Sequence, residues 1–98
     1  MLVHSVFFWL KPELGDEERA AFREGLESLR GIETVTDLYI GSPADTHRPV
    51  IERTYTFGLT VLLAGMPEHD AYQVHPLHQA FLARFGDCWE RVLIYDAD

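Results

Sequence analysis

The sequence predicts an α+β sandwich: an antiparallel four-stranded sheet with two helices on one face. Three observations lead there. Apolar residues follow strand-like patterns in four segments and helical spacing in two, in the order strand, helix, strand, strand, helix, strand. The segments carry start or stop residues of their own, among them Pro12, Gly15-Asp16, Gly31 and Ser42-Pro43. Pro76 breaks the second helical run, because proline lacks an amide hydrogen and its ring clashes with the carbonyl four residues earlier.

Leu2 to Leu10 is the first strand, built from the β-formers Val3, Val6, Phe7, Phe8 and Trp9 and stopped by Pro12. Gly15-Asp16 supplies a turn and an N-cap. Glu17 and Glu18 follow in the first helical turn, where the helix dipole favours acids. Phe22, Leu26 and Leu29 repeat at helical spacing, Arg23 and Glu27 are placed to pair on the outer side, and Gly31 is a suitable stop. Glu33 to Ile40 reads as the second strand, and a polar loop spans Gly41 to Pro49. Arg53 to Leu63 reads as the third and longest strand, through the alternation of Tyr55, Phe57, Leu59 and Val61. The second helical region runs from Met66 to Arg84, and Trp89 to Tyr95 is the fourth strand. This βαββαβ order is the split βαβ pattern of a ferredoxin-like sandwich.

A chain of 98 residues has room for one core, so residues 1–98 are expected to form a single domain. With 47% hydrophobic and 12% aromatic residues, the composition is that of a folded globule. A net charge of −8 argues against nucleic acid, which needs clustered Lys and Arg, and against docking on anionic membranes. The apolar runs are too short to span a bilayer, and Met1 opens directly into a strand, not a basic leader. A cytoplasmic protein is expected. Cys88 stands alone, which precludes an internal disulfide, and beside Trp89 it reads as a core residue.

The strands pose a question about the sheet. The first has Phe7 and Trp9 on one side and Val6, Phe8 and Leu10 on the other; the last has Val92 and Ile94 opposite Leu93 and Tyr95. Two helices cover only one face, so the other should turn polar, and it does not. A second copy of the chain is the simplest cover. The expectation is a homodimer through the sheet face that the helices leave bare, burying about 800 Å² per partner.

The stretch Tyr72-Gln73-Val74-His75-Pro76-Leu77-His78 carries the candidate chemistry. Proline suits the first helical position, which makes His75 the cap and puts His78 in the first turn. Leu77, His78, Phe81, Leu82 and Phe85 then form one stripe, so His78 points inward at the positive end of a helix dipole. Both the dipole and burial disfavour imidazolium, which makes His78 a candidate general base. Tyr72 is the candidate acid, its phenol donating to a developing oxyanion. His4 shares a strand face with Val6 and Phe8 and is the candidate orienting partner. Phe57, Phe81, Phe85 and Trp9 are expected to form an aromatic pocket for a small aromatic or acyl ligand, gated by the Gly41–Pro49 loop. None of this requires a cofactor. His75 and His78 with His4 resemble a three-histidine zinc site, but the break at Pro76 turns His75 away and no CxxC or HExxH pattern supports a metal. His47 and His69 lie in polar surroundings and receive no role.

Three segments carry a family resemblance: His4-Ser5-Val6-Phe7-Phe8-Trp9-Leu10-Lys11, Tyr72…His75-Pro76…His78 with Phe81, and Trp89-Glu90-Arg91-Val92-Leu93-Ile94-Tyr95-Asp96. They resemble the stress-responsive A/B barrel (Dabb) family over essentially the whole chain. The resemblance implies a dimeric α+β barrel, in a family where most members have no assigned reaction. Plant olivetolic acid (polyketide) cyclase is similar in kind. There an inward histidine and a tyrosine, at the positions of His78 and Tyr72, carry the proton chemistry. His4 matches a pocket histidine of that cyclase, whereas Phe57 stands where the cyclase has a histidine. Three functions follow as expectations. One is a ligand-binding barrel of unassigned reaction. Another is a cofactor-free cyclase, isomerase or lyase with His78 as base and Tyr72 as acid. The third is a monooxygenase-like barrel enzyme.

Overall fold

The computed structural model describes residues 1–98. Its elements are β1 (Leu2–Leu10), α1 (Asp16–Ser28), a 3-10 turn (Leu29–Gly31), β2 (Val35–Gly41), β3 (Phe57–Leu63), α2 (Met66–Val74), α3 (Pro76–Phe85) and β4 (Trp89–Ala97). All strand pairs are antiparallel, in the order β2-β3-β1-β4, and the fold is ferredoxin-like. The first strand and the Pro76 break fall where the sequence put them.

Local chemistry explains the boundaries that moved. Gly15 is the N-cap of α1, and its amide donates to the Glu18 carboxylate at 3.3 Å. Arg23 does not pair with Glu27. Its guanidinium donates to the Ile40 carbonyl at 3.4 Å and lies 5.9 Å from the centre of the Phe57 ring, while Glu27 pairs with Arg30 at 3.2 Å. The third strand starts at Phe57, four residues later than expected from Arg53. Threonine hydroxyls take over there: Thr54 accepts from the Trp9 indole at 2.9 Å, and Thr56 accepts from the Leu10 amide at 3.0 Å.

Alternation on β1 sorts the sheet into two faces. Leu2, His4, Val6, Phe8 and Leu10 are buried under the helices, and the residues between them are half-buried on the other side. Register carries the same division to the neighbours. Val6 opposes Leu59 and Ile94, Phe8 opposes Phe57 and Val92, and His4 opposes Val61 and Asp96. Phe22 of α1 is the hub of the core, stacked on Phe57 with ring centroids 5.9 Å apart and edge-on to Phe8, Phe81 and Phe85. Gly25, one turn further along α1, lets the Phe85 ring lie against the helix; an added Cβ would overlap that ring.

A register shift between Trp9 and Leu10 re-aims one large side chain. Trp9 opposes Arg91 but Leu10 opposes Trp89, so Glu90 is the extra residue. Simple alternation would put Trp89 on the bare face with Arg91 and Leu93. The bulge turns it under the helices, where it stacks on Phe81 with centroids 6.3 Å apart.

Candidate functional site

Two helix ends and one strand build the candidate site. At the end of α2, His75 leaves the helix in extended conformation, as residues before proline are driven to do. It then caps α3: its Nδ1 accepts from the Leu77 amide at 3.0 Å, and its Nε2 lies 3.0 Å from a Glu33 carboxylate oxygen. Capping holds His75 in a role apart from any pocket. His78, in the first turn of α3, instead sits edge-on to Tyr72 with ring centroids 4.9 Å apart. His4 approaches Tyr72 from the sheet side, at 5.7 Å.

These three side chains share a cavity of about 190 Å³ between the sheet and the α2–α3 corner. Its walls are mostly apolar, supplied by Val6, Leu29, Leu59, Phe81, Leu82, Trp89, Val92 and Ile94, with Gln73 as the fourth polar group. Tyr72 is buried, and burial alone raises its phenol above the usual 10.0; no hydrogen bond contributes to the shift. It stays a neutral donor across the physiological range. His78 is held below its usual 6.5, first by burial and then by the neighbouring His4 and His69 rings. Its Nδ1 is buried with no hydrogen-bond partner. Most buried polar atoms have partners, so an orphaned imidazole nitrogen is an exception that the rest of the chain does not account for.

The aromatic pocket expected from the sequence divides in two. Phe81 lines the cavity with His4, Tyr72 and His78. Phe57 and Phe85 pack in the core around Phe22 and do not reach it. Trp9 lies on the opposite face of the sheet, because it alternates with Phe8. There it helps line a second concavity of about 300 Å³ with Phe7, Glu52, Tyr55, Leu93 and Tyr95. No residue between Gly41 and Pro49 lines the His78 cavity, so that loop is not its gate.

Besides the aliphatic walls and Gln73, the sequence reading missed Trp89 in the cavity and His69 beside it. Trp89 is a cavity wall only because of the bulge at Glu90. His69, given no role, is 13% exposed and stands 5.4 Å from the His4 ring, edge-on. The signal was present in the helical spacing of His69 and Tyr72, which are three apart and so share a face.

The sheet order and helix placement define a ferredoxin-like α+β protein. The chain matches the Stress responsive A/B Barrel Domain, Dabb, over residues 2–98, and it belongs to that family. Among solved structures it is similar to a Dabb family protein with a ferredoxin-like fold from Mesorhizobium loti (27% identity, TM-score 0.80, covering 99% of this chain and 94% of that one). It is also similar to a dimeric ferredoxin-like protein of unknown function from Jannaschia (26% identity, TM-score 0.75, 99% and 97% covered). The hydroxynitrile lyase of Passiflora edulis shares the fold at 16% identity (TM-score 0.81, 98% and 90% covered). No curated protein matches the chain. No helix is long and apolar enough to cross a membrane.

Proposed function

We propose that this Dabb protein binds a small aromatic or acyl ligand in the cavity between the sheet and the α2–α3 corner, and that it does so as a homodimer. One observation carries the ligand reading: a mostly apolar cavity lined by a phenol whose raised pKa no hydrogen bond explains and by an imidazole whose Nδ1 has no partner. Apolar walls with a few converging polar groups are the usual make-up of a small-molecule site. At about 190 Å³ the cavity is smaller than the roughly 300–1,000 Å³ of drug-sized sites, which limits it to a single ring or a short chain.

The dimer is supported by the second face of the sheet. Phe7, Trp9 and Leu93 lie there half-covered, and Tyr39 and Tyr95 are about three-fifths exposed, at 61% and 60%. An aromatic face of this kind is what a partner covers, and the Jannaschia structure is described as dimeric. Two such faces packed together give the dimeric α/β barrel that the family resemblance implied. Its lone cysteine accords with a cytoplasmic setting.

A second reading, proton-transfer catalysis, is favoured by the protonation states of the same pair. A neutral His78 can take a proton and a neutral Tyr72 can donate to the oxygen that becomes negative. The Passiflora neighbour is a lyase on this fold. With a hydroxynitrile, the base would take the hydroxyl proton as the carbon–cyanide bond breaks; a carbonyl forms, and cyanide leaves with that proton.

Methyl NMR tests the binding reading. Titration with 2,4-dihydroxybenzoic acid and with octanoate is expected to shift the methyls of Val6, Leu59, Val92 and Ile94. Shifts confined to Leu93 and its neighbours, or none at millimolar ligand, would refute it. Light scattering of Tyr95→Glu tests the dimer: the variant is expected to be monomeric and folded, and a dimer that survives the charge would place the interface elsewhere. Carbonyl release from a hydroxynitrile, lost in His78→Ala, would establish the second reading.

A further inference from the structure

Beside the cavity, three side chains from three elements converge. His4 on β1, His69 on α2 and Asp96 on β4 bring ligand atoms within 4.8 Å of one another. His4 and Asp96 are register partners, so main-chain ladder bonds fix their spacing, and His4 Nδ1 lies 2.5 Å from Asp96 Oδ1. The other carboxylate oxygen, Oδ2, lies 3.7 Å from His69 Nε2. Both imidazoles are largely out of water, at 3% and 13% exposure, and Asp96 is at 38%.

The orientation of His69 is the second observation. Its Nδ1 lies 3.2 Å from a carboxylate oxygen of Asp70, which favours the N–H on Nδ1. Nε2 then carries a lone pair, and it lies 3.7 Å from an anionic oxygen of Asp96. The Gln73 amide approaches the same nitrogen only at 3.5 Å, too far to satisfy it strongly. A lone pair beside a carboxylate is repulsive until a proton or a metal ion lies between them. A carboxylate on the far nitrogen is also the arrangement that orients histidine ligands in metal sites.

We propose that His4 Nδ1, His69 Nε2 and the Asp96 carboxylate bind a divalent transition-metal ion of the zinc type. Two imidazoles and a carboxylate are ligands that Zn²⁺ accepts, and three protein ligands leave a position open. His4 also lines the cavity that holds Tyr72 and His78, which puts the ion at its edge. Ligand bonds of about 2.0–2.2 Å set neighbouring donors roughly 3–3.5 Å apart. The His4–Asp96 pair must therefore open by about 1 Å or less, and His69 must close in. Asp96 as ligand and Asp70 behind His69 together balance two positive charges. The ion replaces the proton that otherwise bridges His4 and Asp96. The proposal stands apart from the ligand-binding reading, since the site needs no organic ligand.

The test is titration of the metal-stripped full-length protein with Co²⁺, followed by its visible d–d absorption, and then competition with Zn²⁺. One ion per chain is expected, with the intense bands of a low-coordinate site. His69→Gln and Asp96→Asn should each weaken binding by about 100-fold or more, and Asp70→Asn by roughly 10–100-fold. His47→Gln removes an exposed histidine outside the site and should leave binding unchanged; circular dichroism confirms that each variant folds. Absence of binding at millimolar Co²⁺ overturns the proposal, and so does binding that survives His69→Gln or disappears with His47→Gln. A His69 that NMR shows as an imidazolium held between Asp70 and Asp96, with no ion bound, overturns it equally.

Discussion

Removing the Tyr72 hydroxyl separates a site residue from a structural one. In Tyr72→Phe the ring keeps its packing against His4 and His78, and only the oxygen is lost. Burial is the sole cause of the raised Tyr72 pKa, so no protein hydrogen bond is forfeited. A fully buried hydroxyl without a partner costs about 1–3 kcal/mol in mutational data, and the Tyr72 oxygen, at the cavity wall, carries at most part of that cost. The variant is therefore expected to be as stable as the parent or up to about 1 kcal/mol more stable. For a domain of this size 1 kcal/mol corresponds to roughly 4–8 °C in Tm. Ligand binding moves the other way. One hydrogen bond lost to a bound carboxylate or phenol weakens it by about 0.5–1.5 kcal/mol, some 2- to 13-fold. If the pair is catalytic, loss of an oxyanion donor lowers kcat by about 10²–10³. Thermal unfolding and calorimetric titration with 2,4-dihydroxybenzoic acid measure both sides. A Tm lower by more than about 4 °C would show that the hydroxyl is a structural bond, and the reasoning would be wrong. An unchanged affinity would sink the site assignment.

The helix packing and the protonation of His78 give two further tests. Gly25→Ala should lower stability: alanine improves the helix by up to about 1 kcal/mol, but overpacking against the Phe85 ring costs about 1–3 kcal/mol. Thermal unfolding of the single variant and of Gly25→Ala with Phe85→Leu checks this, and a neutral single variant would show that the ring is free to move. His78 has its folded pKa below the unfolded 6.5, so the unfolded chain takes up the proton first. Its contribution to stability is whole above about pH 6.5 and declines as pH falls through the window between the two values. The groups facing it are Tyr72 and His69 on α2 and His4 on β1. Urea unfolding in EDTA from pH 7.5 to 5 should show a shallower acid loss in His78→Gln than in the parent. Parallel profiles would mean that His78 titrates alike in both states.

Alternation and punctuation determined most of this fold. The β1 pattern divided Val6 and Phe8 from Phe7 and Trp9 correctly, because a strand's side chains must alternate whatever lies beyond them. Pro76 fixed the α2–α3 break and the His75 cap through its missing amide and its ring, both local causes. The Dabb resemblance was legible in the same residues, and the match over residues 2–98 bears it out. His4 and His78 could be named as candidates on the same grounds, each placed by the face of its own element, whereas Tyr72 was named through its place beside the Pro76 motif and the family resemblance.

What the sequence could not supply was which faces meet. Trp9 was grouped with Phe81 by its aromatic type, but the sheet stands between them. Trp89 reached the cavity through one extra residue in a ladder whose register depends on a partner strand 80 residues away in sequence. Arg23 found the Ile40 carbonyl and the Phe57 ring instead of Glu27, because packing of α1 on the sheet offered partners that an isolated helix lacks. His69 looked like a surface histidine until the β1–β4 ladder carried Asp96 alongside His4 and the α2–sheet packing set His69 next to both. Periodicity acts within one element, so the chain alone determined the elements and their faces. Convergence of groups far apart in sequence depends on register and packing, and only the tertiary structure decided that.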